Sequence, residues 1–396
     1  MDQSAGGGAD HATATTAFDL SEEQNAIRDM ARSFAEEQLA PHAIEWDQEK
    51  LFPVEVIRSA AALGMGAIYV GEAHGGSGLS RLDAALIFEA LATGCPTIAA
   101  YISIHNMTAW MIDRFGNDGQ REAYVPKMAS MEWLGSYCLT EPAAGSDAGA
   151  LRTRAVSDGN SYVLNGVKQF ISGAGTSHVY VVMARTGDSG AGGISAFILE
   201  DGMPGLSFGA NEKKMGWNAQ PTRQVIMEDL RVPAANRLGS EGQGFKIAMG
   251  GLDGGRLNIG ACSLGGAQAA LDKAITYMKD RQAFGRRILD FQALQFRVAD
   301  MATELEAART LLWRAAATLD AKHPEATKLC AMAKRFATDA GFKIANDALQ
   351  LLGGYGYLAE YGIEKIVRDL RVHQILEGTN EIMRLIVSRK LIEAAH

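Results

Sequence analysis

A glutamate near the C-terminus stands in a setting that suits proton abstraction. Glu377 follows Ile375 and Leu376, and it precedes Gly378 and a predicted helix start at Thr379. A carboxylate withdrawn from water has a raised pKa, which makes it a more effective base near neutral pH. The two large apolar neighbours permit that desolvation, although a solvated glutamate that complements the helix dipole would have the same neighbours. Glu377 is therefore a candidate general base.

Two segments combine small residues, hydroxyl groups and aromatic rings, a mixture that suits a flat ligand with polar edges. Residues 137–147 (YCLTEPAAGSD) join a short apolar strand to a loop whose backbone could approach such a ligand closely. Residues 168–175 (KQFISGAG) place Phe170 and Ser172 two apart, so on a regular strand the ring and the hydroxyl would share one face. Composition alone favours plainer alternatives, a surface turn in the first segment and a core phenylalanine beside a turn in the second.

Two motifs that contain arginine could contact phosphate oxygens, because the guanidinium group matches two oxygens at once. Residues 253–256 (DGGR) lie at the predicted head of a bundle helix, and residues 281–285 (RQAFG) lie at the end of one. Salt bridges between helices explain the same arginines equally well. Both motifs are thus candidate contacts for an anionic ligand.

Composition and motif content argue against several classes of protein. The 38 basic and 46 acidic residues give a formal net charge of −8, which disfavours nucleic-acid binding. No apolar run reaches the ~18 residues of a membrane span, so we expect no membrane insertion. The four cysteines lie far apart without a CxxC pair, so we expect no metal site. Residues 205–209 (GLSFG) fit the pattern of a hydrolase nucleophile at Ser207, but they lie among predicted strands, where that motif needs a strand, a turn and a helix.

The periodicity of the apolar residues predicts three structured parts. Residues 18–131 have helical spacing and predict an α-helical domain. Residues 132–240 alternate between apolar and polar and predict a small β-barrel or sandwich. Residues 241–396 return to helical spacing and predict a four-helix bundle. The predicted fold class is therefore α+β and multidomain, because the strands are grouped rather than alternating with helices.

Local signals predict where single elements begin and turn. Asp19 or Ser21 could cap the first helix. Asp158-Gly159 and Asn165-Gly166, on either side of a short apolar stretch, predict two tight turns. Gly353-Gly354 predicts the end of the third long helix of the bundle.

The N-terminal segment, residues 1–17, is rich in Gly, Ala and Thr and contains no Lys or Arg. A secretory signal needs a basic start and an apolar centre, and a mitochondrial transit segment needs arginines. We therefore expect a disordered tail and a cytoplasmic protein.

Several motifs occur together in one order along the chain. They are YCLTEP at 137–142, FISG at 170–173, GGR at 254–256, RQAFG at 281–285, QLLGGYG at 350–356 and LEGTNE at 376–381. In order and spacing they resemble the signatures of the acyl-CoA dehydrogenase family, and the resemblance covers the chain from Phe18 onward. It implies a helical domain, a β domain and a helical bundle, in agreement with the periodicity. It also implies FAD-dependent α,β-desaturation of an acyl-CoA by a homotetramer, with an electron-transfer flavoprotein as the electron acceptor.

The resemblance also places roles on matching positions of this sequence. Glu377 would abstract the α proton, and FAD would accept the β hydride. The residues that would bind FAD are Tyr137, Cys138, Leu139, Thr140, Gly145, Ser146, Phe170, Ile171, Ser172, Arg281, Phe284, Phe291, Gln292, Gln350, Gly353, Gly354, Thr379, Asn380 and Glu381. The residues that would bind the acyl-CoA are Ser146, Asp253, Gly254, Gly255, Arg256 and Arg389. The contacts that would reach the flavin of a neighbouring subunit are Arg281, Phe291, Gln292 and residues 350–354.

Further stretches are most similar to the family members that act on isobutyryl-CoA, a short branched thioester. These stretches are residues 101–107, 170–175, 216–223, 258–265 and 372–378. Phe170 stands where many members have tryptophan, and Leu376 stands where straight-chain members often have an aromatic residue. The resemblance thus implies oxidation of isobutyryl-CoA to methacrylyl-CoA, a step of valine catabolism. The alternative substrates are 2-methylbutyryl-CoA and butyryl-CoA, and the alternative functions are an acyl-CoA oxidase, a flavin monooxygenase and a non-catalytic acyl-CoA-binding protein.

Overall fold

The computed structural model describes residues 19–395, so the predicted tail of residues 1–17 lies outside the described residues. The first helix, α1 (Glu22–Phe34), begins at Ser21. The Ser21 hydroxyl oxygen accepts a hydrogen bond from the Gln24 backbone N–H at 3.1 Å, and the Gln24 side chain accepts one from the Ser21 N–H. This reciprocal capping box selects Ser21 over Asp19 as the cap of α1.

The N-terminal part is helical, as predicted. Its α-helices are α1, α2 (Ala43–Gln48), α3 (Val54–Ser59), α4 (Arg81–Gly94), α5 (Pro96–Phe115) and α6 (Asp118–Ala129). Most residues of α4 and α5 are buried, and capping boxes at Ser80 and Asn117 begin α4 and α6. Pro96 occupies the first position of α5, where the missing N–H has no partner within the helix.

The middle part is one mixed sheet. Its strands are β1 (Gly135–Cys138), β2 (Arg154–Asp158), β3 (Ser161–Ser172), β4 (Val179–Arg185), β5 (Ile194–Glu200), β6 (Leu206–Phe208), β7 (Thr222–Pro233) and β8 (Arg237–Leu238). The spatial order is β6-β7-β3-β2-β4-β5-β8, and β1 pairs with β4. The β1–β4 and β2–β4 pairs are parallel and the other pairs are antiparallel. Every residue of β4 and β5 except the last is buried, so these two strands form the core of the sheet.

Of the two predicted tight turns, one is present and one is wrong. Gly159 turns the chain between β2 and β3 with φ +63°. Asn165-Gly166 lies inside β3, at a register shift against β7, and the chain does not reverse there. Gly166 is needed because a Cβ would stand 2.5 Å from the Thr153 hydroxyl oxygen. The local Asn-Gly signal therefore marks a bulge in a long strand rather than a hairpin.

The C-terminal part is a helical bundle with a small hairpin. Its elements are α7 (Gly244–Asp280), β9 (Gln282–Ala283), β10 (Arg286–Arg287), α8 (Gln292–Asp320), α9 (Ala326–Leu351), α10 (Ile363–Arg371) and α11 (Asn380–Glu393). Helix α7 contacts α8 and α9 of the bundle and also α4 and α5 of the N-terminal part, so it connects the two parts. Because α7 begins at Gly244, residues 253–256 lie in its third and fourth turns and not at its head, which corrects the predicted position. Helix α9 ends just before Gly353, as predicted.

These parts form the predicted α+β arrangement of a helical domain, a β domain and a helical bundle. None of the helices within residues 19–395 combines the length and the apolar composition of a membrane span. The same residues contain no group of His, Cys, Asp and Glu side chains that could hold a metal ion.

Candidate active site

Glu377 lies in a strained turn that precedes α11. Its φ is +57°, a left-handed conformation that costs an ordinary residue energy, and Gly378 follows with φ +92°. Contacts from two helices hold the turn in place. The Arg256 Nε on α7 donates to the Glu377 carbonyl oxygen at 3.3 Å, and the Lys334 Nζ on α9 donates to the Gly378 carbonyl oxygen at 2.8 Å. The Thr379 hydroxyl oxygen then caps α11 by accepting from the Ile382 N–H at 3.3 Å.

The Glu377 carboxyl group is desolvated. Its Oε2 atom is buried and has no hydrogen-bond partner among the described residues. Burial raises the pKa of Glu377 to about 7, and the positive charges of Arg256 and Lys334 oppose that rise. A Cβ at residue 255 would stand 2.5 Å from Oε2, so a larger residue there would displace the carboxyl group. The desolvation that the sequence only permitted is therefore present in the structure.

The buried Arg256 pairs with the half-buried Asp253 beside the Glu377 turn. The Arg256 Nη1 donates to the Asp253 Oδ1 at 2.7 Å, and the Thr327 hydroxyl donates to the Asp253 Oδ2 at 2.7 Å. Asp253 is thus the carboxylate partner of Arg256, while Glu377 contacts that arginine through its backbone carbonyl. The pair leaves the Glu377 carboxyl free for another partner.

A cluster of aromatic side chains lies near the Glu377 carboxyl, and the sequence did not indicate it as a group. The Tyr137 hydroxyl is buried and has no hydrogen-bond partner in the described part of the chain. Burial raises the pKa of Tyr137 well above the usual value, and the charge of Glu377 adds to that rise. The Tyr69 hydroxyl accepts from the Asn258 side chain at 3.1 Å. The Arg81 guanidinium stacks 3.6 Å from the Tyr69 ring centroid. Tyr69, Arg81 and Asn258 belong to different elements, so only the folded chain brings them together.

The loop after β1 is fixed from below by a buried ion pair. The Lys168 Nζ donates to the Glu141 Oε1 at 2.8 Å and to the Leu139 carbonyl oxygen at 3.1 Å. Glu141 also accepts from the backbone N–H groups of Arg152 at 2.6 Å and Thr153 at 2.9 Å. Burial alone would raise the pKa of Glu141, but Lys168 and the backbone donors lower it overall. This support leaves the far side of the loop exposed at Gly145 and Ser146 and half-exposed at Thr140.

Phe170 and Ser172 do not share one face as the sequence suggested. The register of β3 against β7 shifts between Lys168 and Ile171, and Phe170 has φ +61°. This irregularity breaks the alternation, so the Phe170 ring is 64% exposed while Ile171 is buried and Ser172 is half-buried. The Ser172 hydroxyl oxygen accepts from the Gln220 Nε2 at 3.2 Å, which leaves the hydroxyl proton free to be donated.

A second group of predicted residues surrounds a separate pocket of about 510 Å³ at the other end of α7. The predicted residues that line it are Arg281, Gln350, Gly353 and Gly354. Phe284 lies at the tip of the β9–β10 hairpin and is 95% exposed. Its ring contacts the Phe291 ring edge-to-face, with 6.2 Å between the ring centroids. The pocket has no lining residue in common with the Glu377 turn.

The remaining predicted residues lie on or near α11. The Asn380 side chain is buried, where it accepts from Lys334 at 2.9 Å and donates to Asp339 at 2.7 Å. Glu381 is exposed and pairs with Arg384, and Arg389 is exposed on the same helix. The structure thus turns Asn380 inward and Glu381 and Arg389 outward.

Ser207 does not have the geometry of a hydrolase nucleophile. It is exposed in the middle of the short strand β6, which pairs with β7. The turn and helix that the nucleophile motif requires do not follow β6, since β7 is the next regular element.

The residues present fit a polar, flat cofactor beside Glu377. Buried polar atoms without partners are rare in proteins. Within residues 19–395, Tyr137 Oη, Gln220 Oε1 and Glu377 Oε2 all lack one. Gln220 contacts Ser172 on β3, and the charge of Glu377 raises the pKa of Tyr137 at the start of the loop after β1. The three atoms therefore lie around the region between this loop, β3 and the Glu377 turn. The fold and the site define a class of protein, an enzyme in which a helical bundle holds a desolvated carboxyl group, the candidate base, next to a β domain with a candidate cofactor loop.

Comparison with known protein families identifies the class further. Residues 21–132, 136–230 and 242–392 match the acyl-CoA dehydrogenase N-terminal, middle and C-terminal domains, respectively. The chain belongs to the acyl-CoA dehydrogenase family, whose members are flavin-dependent oxidoreductases. The family resemblance and the fold class predicted from the sequence are therefore confirmed.

Individual relatives are similar over nearly the whole chain. The chain is 55% identical to the mitochondrial isobutyryl-CoA dehydrogenase of Bos taurus, covering 94% of this chain and 90% of that protein. It is 56% identical to the mitochondrial isobutyryl-CoA dehydrogenase of Dictyostelium discoideum, covering 95% and 91%. The solved butyryl-CoA dehydrogenase of Megasphaera elsdenii superposes with a TM-score of 0.92 at 39% identity, covering 95% of this chain and 100% of that one. Both relatives carry the word mitochondrial in their names, so they do not support the predicted cytoplasmic location.

Proposed function

We propose that this chain catalyses the FAD-dependent α,β-desaturation of a short branched acyl-CoA, with isobutyryl-CoA as the substrate and methacrylyl-CoA as the product. The observation that carries the proposal is the Glu377 carboxyl group, which is desolvated, unpartnered and placed against Gly255. Removal of a weakly acidic α proton requires a base of this kind. The relatives named isobutyryl-CoA dehydrogenase support the choice of substrate.

The residues around Glu377 supply the proton chemistry. Ionised Glu377 takes the α proton through its free carboxylate. The thioester oxygen gains negative charge as the proton leaves, and a donor already aimed at that oxygen lowers the barrier. The Glu377 backbone N–H suits this role, because it makes no hydrogen bond within residues 19–395. Arg256 keeps the turn that carries both groups in place.

A bound FAD supplies the acceptor for the β hydride. The proposed FAD contacts on the Glu377 side of the molecule are the loop after β1, residues 170–172 and residues 379–381. Two features support this assignment, the unpartnered Tyr137 hydroxyl and the Ser172 proton that is free to be donated.

The second pocket is proposed to meet the flavin of a neighbouring subunit in a homotetramer. Exposed apolar side chains support this assignment: Tyr355 and Leu358 line the pocket, and Phe284 on the hairpin that follows Arg281 is 95% exposed. A group of exposed apolar side chains is typical of an interaction surface. The contact with the neighbouring subunit's flavin would be completed by Arg281, Phe291, Gln292 and residues 350–354. Arg281→Ala should then weaken flavin retention without unfolding the chain, as measured by flavin content after dialysis and by circular dichroism.

The proposed acyl-CoA contacts are residues 253–256 with Ser146 and Arg389, and an electron-transfer flavoprotein is the proposed oxidant. Leu376 beside the base leaves more room than an aromatic residue would, which supports a branched acyl group. One methylene group in an apolar pocket is worth only about 1–3 kcal/mol, so 2-methylbutyryl-CoA and butyryl-CoA are expected to react more slowly rather than not at all.

Anaerobic titration of the purified flavoprotein tests the function. Isobutyryl-CoA, 2-methylbutyryl-CoA, butyryl-CoA and octanoyl-CoA would each be added while the flavin absorbance is followed. We expect the fastest bleaching with isobutyryl-CoA and negligible bleaching with octanoyl-CoA. Failure of every short acyl-CoA to bleach the flavin would contradict the proposal, and rapid turnover with oxygen alone would indicate an oxidase instead.

A further inference from the structure

Lys334 is a buried lysine on α9 whose ammonium group lies beside the Glu377 turn. Its side chain is fully buried. The Nζ atom donates to the Gly378 carbonyl oxygen at 2.8 Å and to the Asn380 Oδ1 at 2.9 Å. Both acceptors are neutral, so neither balances the positive charge.

Lys334 has no carboxylate within ion-pair distance among residues 19–395. The charged groups that face it are Glu377 from the turn, Arg256 from α7, Asp339 from α9 and Glu381 from α11. Burial lowers the pKa of Lys334 to about 7, and Glu377 is the strongest of the groups that oppose this shift.

The other charged groups near Lys334 already have partners. Arg256 is paired with Asp253 at 2.7 Å, and Glu381 is paired with Arg384. Asp339 accepts from Asn380 at 2.7 Å and lies near Arg384 as well. A buried ammonium group needs a nearby negative charge, because desolvation of an unpaired ion is costly. Glu377, whose carboxyl Oε2 is unpartnered, is the group left to provide it.

We infer that Lys334 is a positioning residue for the base: its ammonium group holds the left-handed Glu377–Gly378 turn through the Gly378 carbonyl and provides the positive charge that balances the Glu377 carboxylate. The inference rests on the proposed function, since it assigns a role in proton abstraction. It explains why a buried lysine bonds to the backbone of the residue that directly follows the base.

The two parts of this role have different consequences. Loss of the hydrogen bond to Gly378 would let the turn relax and would slow the reaction equally at every pH. Loss of the charge would raise the pKa of Glu377, because a positive charge favours the ionised carboxylate. The base would then be protonated at neutral pH, and the acid limb of the rate profile would move to higher pH.

The test compares variants in the holoenzyme by the rate of anaerobic flavin reduction with isobutyryl-CoA across pH. Lys334→Met removes both the charge and the donor, and Lys334→Gln removes the charge but keeps an N–H donor. Because an opposite charge typically shifts a neighbouring pKa by about 1–3 units, we expect both variants to move the acid limb upward by at least about one unit. Lys334→Arg keeps the charge and should restore the limb toward its wild-type position.

Lys343→Met is the matched control, because Lys343 lies on the same helix, is exposed and pairs with Glu304. We expect its profile to match that of the wild-type enzyme. If Lys334→Met is insoluble, the Gln and Arg variants carry the comparison.

The outcomes separate this inference from the proposed function. Wild-type protein that bleaches normally, together with Lys334→Gln and Lys334→Met profiles that fall at every pH without shifting, would overturn the inference alone. An Arg variant that shifts as far as the Gln variant would do the same. Wild-type flavoprotein that no acyl-CoA bleaches would overturn the proposed function, and the role of Lys334 with it.

Discussion

Lys168 and Lys334 are both buried, and each donates to a backbone carbonyl of a loop in the candidate site. Lys168 supports the β1 loop and is paired with Glu141 at 2.8 Å. Lys334 supports the Glu377 turn and has only neutral acceptors. A buried lysine with a close carboxylate partner, such as Lys168, thus has a structural role. A buried lysine with neutral acceptors, such as Lys334, keeps a positive charge that can act on a nearby group.

The comparison also explains why the pKa values of Glu141, near Lys168, and Glu377, near Lys334, shift in opposite directions. Glu141 is bound by Lys168 and by two backbone N–H groups, and these interactions hold its pKa below the ordinary value. Glu377 has no hydrogen bond to its buried oxygen, and burial raises its pKa to about 7. A carboxylate that is fully bonded cannot accept a proton readily, whereas one that is desolvated and unbonded can.

The largest expected effect is the loss of the base itself. Glu377→Gln should slow flavin reduction by isobutyryl-CoA by about 10²–10⁴-fold, the usual contribution of a positioned general base. Its apparent stability should fall modestly, because the glutamine leaves the buried Lys334 ammonium group without the charge that balances it. Stopped-flow absorbance and thermal unfolding would measure both quantities. Near-normal bleaching in this variant would remove Glu377 from the mechanism.

The next effect concerns the stability of the Lys168 region. Lys168→Met leaves the Glu141 carboxylate buried without its cation and should lower the apparent free energy of unfolding by ~3–5 kcal/mol. Lys334→Met should cost less, because no carboxylate is directly paired with Lys334.

Urea unfolding of the two variants measures this difference. The double variant Lys168→Met with Glu141→Gln serves as the control, and it should recover part of the loss because no charge is left unpaired. A larger loss in Lys334→Met than in Lys168→Met would break the comparison.

A third prediction concerns the space that the base occupies. Gly255→Ala places a Cβ 2.5 Å from the Glu377 Oε2 and must displace the carboxyl group. A displacement of about 1 Å can cost about 100-fold in rate, so we expect a loss of that order in flavin reduction.

Gly250→Ala is the control on the same helix, since its Cβ would meet Trp110 at an ordinary 3.7 Å. We expect normal flavin reduction in that variant. Equal rates in the two alanine variants would show that the Gly255 contact does not position the base.

The smallest effect is the pH dependence of the wild-type enzyme. Glu377 must be ionised to accept a proton, so the rate of flavin reduction should rise with pH and level off above about 7. Below that value we expect a change of about tenfold per pH unit. A profile that is flat from pH 5 to 8 would mean that the base titrates elsewhere and would remove the distinction between the two glutamates.

The sequence predicted the large elements of this chain and indicated Glu377 as the candidate base. The cap at Ser21, the end of α9 at Gly353 and the helix start at Thr379 all follow from local capping chemistry, which acts over a few residues. Glu377 became the candidate base because its apolar neighbours and the following glycine are adjacent in sequence.

The errors in the prediction arose where pairing with a distant strand overrode a local signal. Asn165-Gly166 resembles a turn but forms a bulge because β3 continues along β7. Phe170 and Ser172 were expected on one face, but the second register shift in β3 changes the alternation.

The amino-acid sequence by itself determined the order of helical and β parts, the capping of individual helices and the presence of a carboxylate between apolar neighbours and a helix start. Those features depend on periodicity and on hydrogen bonds between residues close in the chain. Tertiary structure alone decided that Lys334, Arg256 and Gly255 lie around that carboxylate. Arg256 on α7 is 121 positions from Glu377 along the chain, and Lys334 on α9 is 44 positions from Gly378. Desolvation and charge balance are properties of a packed environment, so the pKa of the Glu377 carboxyl group depends on the fold.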